Sequence, residues 1–158
     1  MSKLIRLVLK ALSVYASVGI GLGNAADVVP PQDDFPVAVI TGDNGGRIID
    51  YILRAAYYRE AKIQVEFAGR CDSSCTLYLS LPDEQLCITK DAFFRFHAPV
   101  DNWHRVDRGA VKFMMLKYPD WVQSWILSNN GLSRHLIEMD YSYAQQFLKT
   151  CAEPSTKA

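Results

Sequence analysis

The most constraining feature of this chain is a change of hydrophobic period around a glycine-rich loop. Val37 to Thr41 is a near-continuous apolar run suited to a buried strand. It stops at Gly42-Asp43-Asn44-Gly45-Gly46, residues that accept left-handed backbone. From Arg47 the period becomes helical, and Ile48, Ile49, Ile52, Leu53 and Ala56 share one predicted buried face. Ile63, Val65 and Phe67 then alternate with Gln64 and Glu66 as a second strand ending at Gly69. Ser73 and Ser74 open a short helix with Leu77 and Leu81 inward, stopped by Pro82. Leu86–Thr89 and Phe93–His97 read as further strands, and the remainder as helices. One starts at Pro119 with Trp121, Val122, Trp125 and Ile126 buried and ends at Asn129-Asn130-Gly131. The next is capped by Ser133, and the last covers Tyr143 to Thr150. Strand, helix, strand, helix, strand, then helices predicts an α/β domain with a mainly parallel sheet. Such sheets place chemistry in loops after the carboxyl ends of their strands.

The N-terminal stretch assigns the compartment. Lys3, Arg6 and Lys10 precede an uncharged, mostly apolar segment, Ala11 to Leu22, and small residues at Gly23 and Ala25 suit signal peptidase. That segment is about 12 residues, against about 20 for a membrane span. The reading is a signal peptide over residues 1–25 and a periplasmic or secreted protein with no stable membrane anchor after cleavage. An extended lead-in covers 26–36, a single domain 37–152, and a disordered tail 153–158. A cut after Ala25 leaves 133 of the 158 residues, enough for one domain. The whole chain has 17 basic and 17 acidic residues, so removing three cations leaves a mildly acidic protein. Bulk charge thus argues against nucleic acid and anionic membranes as partners.

Cys71, Cys75, Cys87 and Cys151 are an even set, read as disulfides in an oxidising compartment. Three pairings are open. A Cys71–Cys75 bridge would strain a helical turn, which favours Cys87 joining one of that pair. A zinc site from Cys71, Cys75, Cys87 and His97 lacks paired short spacings, and no metal or cofactor is expected. Thiol exchange at Cys71 and Cys75 is disfavoured by the three intervening residues. His135 and Glu138 read as solvated side chains.

The remaining polar residues match the requirements of acyl transfer: an exposed serine at a sharp turn, a histidine base, an orienting carboxylate and two oxyanion donors. Ser73 lies between strand and helix, and Ser74 offers the next amide. Gly45-Gly46 supplies a loop that backbone can approach closely. His97 ends a strand, and Asp140 lies between two late helices. As bland alternatives, Ser73 and Ser74 cap a helix, Gly45-Gly46 is a tight turn, and Asp140 is a cap.

This arrangement resembles the proteolytic subunit of the Clp protease within the ClpP/crotonase superfamily, and more closely its small exported, cysteine-containing relatives. The family's strand, Asn-Ser-Pro-Gly-Gly and helix correspond to Gly42-Asp43-Asn44-Gly45-Gly46 and its helix. The Gly-x-x-x-Ser turn is matched by Gly69-Arg70-Cys71-Asp72-Ser73. The strand-ending histidine followed by Gln-Pro is matched by His97-Ala98-Pro99, 24 residues beyond Ser73. Asp140 follows Gly131 by nine residues, as the family's aspartate follows a helix-ending glycine.

The resemblance spans Val37 to Phe147. It implies a serine hydrolase, in finer terms a peptidase, acting on a peptide or small acyl substrate. The triad would be Ser73–His97–Asp140, the oxyanion hole Gly46 and Ser74, with Asp101 or Asp107 as substitutes should Asp140 prove remote. In the exported relatives such cysteines act as disulfide staples of the active-site turn. Cys75 replaces the family's glycine, proline is missing from the Gly-Gly loop, and the chain is shorter than a Clp subunit. The shorter length sets the family's ring assembly apart from what the resemblance implies here, and a homo-oligomer stays compatible. The alternative on the same fold is an inactive, disulfide-stapled binding module.

Overall fold

The structure is a computed structural model that describes residues 36–152. The expected signal peptide, most of the expected lead-in and the expected tail lie outside the described residues. Strand β1 (Val37–Asp43) leads through the glycine loop into helix α1 (Ile48–Glu60) and then strand β2 (Gln64–Asp72). A 3₁₀ helix (Ser73–Ser80) follows, then β3 (Leu86–Ile88), β4 (Phe93–Phe96), α2 (Arg108–Lys117) and α3 (Asp120–Ser128). The described chain closes with β5 (Ile137–Met139), α4 (Tyr141–Ala144) and β6 (Lys149–Thr150).

β2 is the spine of a mixed, mostly parallel sheet. β1 pairs along one side of it. The other side is shared, β3 pairing at Val65–Phe67 and β4 at Arg70–Asp72. β6 extends the β3 branch in parallel, and β5 closes the β4 branch antiparallel. Val65, Phe67 and Cys71 of β2 are fully buried with Phe94 and Phe96 of β4, and the Phe67 and Phe94 rings meet edge-on at 4.9 Å. The whole 3₁₀ helix interior, Ser74 to Leu79, is sunk into this core. The predicted inward pair Leu77 and Leu81 is buried as expected, and so are Val122 and Ile126 of α3.

β1 is not the buried strand expected, for among the described residues it pairs only with β2, and Val37 and Val39 are each 55% exposed. Three further sequence expectations are corrected. β2 does not stop at Gly69 but runs on to Asp72. Gly69 is where β1 crosses closest: a Cβ there would collide with the Thr41 carbonyl, beside a register slip between Ile40 and Gly42.

Helix α1 is also rotated from its predicted face. Tyr51 and Ala55 are buried, whereas Leu53 is 62% exposed and Ile49 is exposed too. The tyrosine is preferred inside because its ring packs 5.5 Å from Tyr78 and its hydroxyl, raised in pKa by burial and by Asp43, donates to Asp43 Oδ1 at 2.6 Å.

The third correction lies near the C terminus, where the predicted helices give way to strands. Ile137 and Met139 alternate against Phe96 and Phe94, satisfying the outer edge of β4. The final segment is a four-residue helix followed by β6, beside Cys151 bonded to Cys87.

Candidate active site

Parallel pairing brings the carboxyl ends of β1, β2 and β4 to one edge of the sheet: Asp43 faces Cys71, and Asp72 faces Arg95. The glycine loop, Ser73 and His97 are the residues that leave those ends. Ser73 and His97 line a single cavity of about 460 Å³ together with Gly46 and Asp107. Its apolar wall comes from Ile48, Pro99, Val100 and Met114.

Ser73 has φ of +55°, a left-handed value that a non-glycine residue holds only when its surroundings impose it. Three contacts impose it. Cys71 and Cys75, both fully buried, are bonded across the turn with Cα atoms 5.4 Å apart. The buried Asp72 carboxylate takes a two-pronged bond from Arg95, Nε at 2.8 Å and Nη2 at 2.5 Å. Gly45, itself at φ +78°, lies so close that a Cβ would stand 2.6 Å from the Asp72 carbonyl and 2.8 Å from Ser73 Cβ. Beyond the turn, Thr76 Oγ1 donates to the Ser73 carbonyl at 2.5 Å and lies 2.6 Å from the Tyr118 hydroxyl.

The disulfide pairing differs from the expected one: Cys71 joins Cys75, and Cys87 joins Cys151. The objection to a Cys71–Cys75 bridge assumed an α-helical turn, whereas the chain reverses at a left-handed Ser73 and reaches Cys75 inside a 3₁₀ helix. With all four sulfurs in disulfides, no thiolate remains for the zinc alternative, and burial removes Cys71 and Cys75 from thiol exchange. Two disulfides fit an oxidising compartment. Among the described residues no helix is long and apolar enough to cross a membrane.

The two serines divide their functions. Ser74 is buried, and its Oγ accepts from Gly46 N–H at 2.7 Å and donates to the Gly46 carbonyl at 2.8 Å. The Gly46 amide expected in the oxyanion hole is therefore committed to Ser74. Asp43 fixes the other end of the loop by accepting from Gly45 N–H at 2.8 Å. Arg70 donates to Asn44 Oδ1 at 2.5 Å.

His97 Nδ1 lies 2.9 Å from the Ala98 carbonyl. A carbonyl only accepts, so Nδ1 is the donor in this contact, and the tautomer it selects leaves Nε2 as the basic nitrogen. Among the described residues no hydrogen bond joins Ser73 Oγ to His97; the two share the cavity without closing on each other.

Asp140 is not part of this group. Antiparallel register pairs Ile137 with Phe96 and Met139 with Phe94, so β5 runs away from the His97 end of β4 before the chain reaches Asp140. Asp140 instead caps α4, accepting from Ser142 Oγ at 2.7 Å and Tyr143 N–H at 3.0 Å. These two donors hold its carboxyl below the usual carboxylate range. The carboxylate on the cavity wall is Asp107, which caps α2 by accepting from Ala110 N–H at 3.0 Å.

Asp72, Arg95 and Asp43 escaped the sequence reading as site residues. One signal was present: an arginine between two phenylalanines in a strand needs a partner on the other face. The chain matches no protein-family model, and no curated protein matches it.

Proposed function

We propose that the protein is a serine hydrolase of the ClpP/crotonase-like kind, in finer terms a peptidase of an extracytoplasmic compartment. The observation that carries this reading is the shared cavity. A serine on a left-handed, cross-linked turn and a histidine whose Nδ1 meets a backbone carbonyl line the same space. In the reaction, Ser73 Oγ attacks the substrate carbonyl while Nε2 of His97 takes its proton. The acyl–nitrogen or acyl–oxygen bond then breaks as that proton passes to the leaving group, and water releases the acyl group by the same route. The Ala98 carbonyl sets the His97 tautomer, the task that a triad gives to a carboxylate. The Ser74 amide, next to the nucleophile, supports the developing oxyanion. The open Ser73–His97 distance is compatible with a site that tightens on its substrate.

The second reading is a binding module without turnover, favoured by the Ser74 hydroxyl occupying the Gly46 amide. One experiment separates the two: treatment with a fluorophosphonate followed by intact mass. A hydrolase gives a single adduct on the wild type and none on Ser73→Ala. His97→Ala labels at least about 100-fold more slowly, and Asp140→Ala labels like the wild type. No adduct, under conditions that label a control hydrolase, leaves the binding module.

A further inference from the structure

The segment from Val100 to Lys117, which gives Val100, Asp107, Ala110 and Met114 to the cavity wall, shows on its other side chains a pattern that hydrolysis does not use. Val100 and Val106 form an antiparallel bridge, closing a tight hairpin. Asp101 stiffens it from within, accepting from Trp103 N–H and Arg105 N–H, each at 2.9 Å, and pairing with the Arg105 guanidinium. At the tip Trp103 is 74% exposed, with the Arg105 guanidinium carbon 5.0 Å from its ring centre. Val100 and Val106 are also exposed.

Helix α2 follows at once. Its inner side, Ala110 and Met114, lines the cavity. Arg108, Lys112, Phe113, Leu116 and Lys117 are exposed, Leu116 by 71%, and none of the helix's residues is acidic. Among the described residues, Arg108, Lys112 and Lys117 enter no ion pair. The only carboxylates of this segment, Asp101 and Asp107, are engaged by the backbone amides of the hairpin and of α2.

We propose that the hairpin tip and the outward side of α2 dock the protein on an anionic phospholipid surface. Such a surface accepts cations interleaved with single large apolar side chains, and favours an indole at the headgroup level. An acidic protein would neutralise the cations equally well. The segment nevertheless carries the two most exposed large apolar side chains of the described residues, Trp103 and Leu116, and a fluid headgroup layer takes up such side chains without a matching partner surface. The mildly acidic balance expected after cleavage does not oppose docking, because the attraction falls off within a Debye length and is set by the cations nearest the surface. This docking rests on residues other than Ser73 and His97.

The test follows indole emission of the full chain and of Trp103→Phe on addition of vesicles of equal parts phosphatidylcholine and phosphatidylglycerol. The apolar N-terminal segment is common to both proteins, so the signal that counts is their difference. Docking gives a blue shift in the wild type that Trp103→Phe lacks. The vesicle concentration needed rises at least about tenfold in a doubly reversed Arg108→Glu, Lys112→Glu variant, and also rises with added salt. These side chains are exposed, and circular dichroism confirms that the variants fold. Identical responses of wild type and Trp103→Phe, or an equal shift with phosphatidylcholine alone, overturn the proposal. So does a Trp103 shift produced by poly-glutamate but not by the vesicles, which assigns the face to an acidic protein.

Discussion

At Ser74 a single hydroxyl is donor and acceptor to one residue, Gly46, in a position almost free of water contact. Removing it leaves a partly buried amide and carbonyl without partners, a loss of about 1–3 kcal/mol. Ser73, whose Oγ enters no hydrogen bond among the described residues, carries no such stabilisation. The two alanine variants should therefore separate cleanly. Ser74→Ala lowers the urea midpoint yet still takes the fluorophosphonate. Ser73→Ala keeps the midpoint within about 0.5 kcal/mol of the wild type and takes no label. Labelling lost in Ser74→Ala with stability unchanged would exchange the roles of the two serines. Sequence spacing could single out this pair but not apportion it. Which hydroxyl turns inward depends on the left-handed residue at 73, a backbone value that no side-chain pattern announces.

Between elements, the close approach of the glycine loop to the β2 turn places the cavity, and its two glycines are unequal. Gly45 has positive φ, and a Cβ would meet the Asp72 carbonyl, Ser73 Cβ and Ser74 N within 2.9 Å. Gly46 has room, its nearest neighbour being Tyr51 Cε2 at 3.6 Å. Gly45→Ala is expected to destabilise by about 2 kcal/mol or more and to abolish labelling at Ser73. Gly46→Ala should cost under about 1 kcal/mol, and thermal melts of the two variants check the order.

At this scale much was legible. β1, the loop, α1, β2 and β4 follow from period changes and glycines, as do the ends that gather Ser73 and His97. What escaped depended on partners distant in sequence. The inward face of α1 is chosen by Asp43 and Tyr78, which reward Tyr51 over Ile49. β5 exists because β4 has an edge to fill, and its register sends Asp140 away from His97. A spacing of nine residues from Gly131 carries no information about either.

Over the whole molecule, the two disulfides act at different ranges. The Cys87–Cys151 bond spans 64 residues and ties β3 to the end of the described chain beside β6. On the loop-entropy view it contributes about 4 kcal/mol, against about 2 for the four-residue Cys71–Cys75 loop. A Cys87→Ser, Cys151→Ser variant should thus lose roughly twice the unfolding free energy of a Cys71→Ser, Cys75→Ser variant. The latter should keep most of its stability while losing reactivity at Ser73, because its loss falls on the turn itself. Equal losses in urea titrations would show that the long tether acts on a chain already held by the sheet.

The connectivity also bears on biogenesis. Bonded in chain order, first to second and third to fourth, the cysteines need no partner to wait while another passes. When such a chain threads amino end first into an oxidising space, Cys71 meets Cys75 before Cys87 has emerged. Cys87 then finds Cys151 as the only thiol left. An oxidase that simply joins successive thiols would reach the native pairs, and a disulfide isomerase would have nothing to correct.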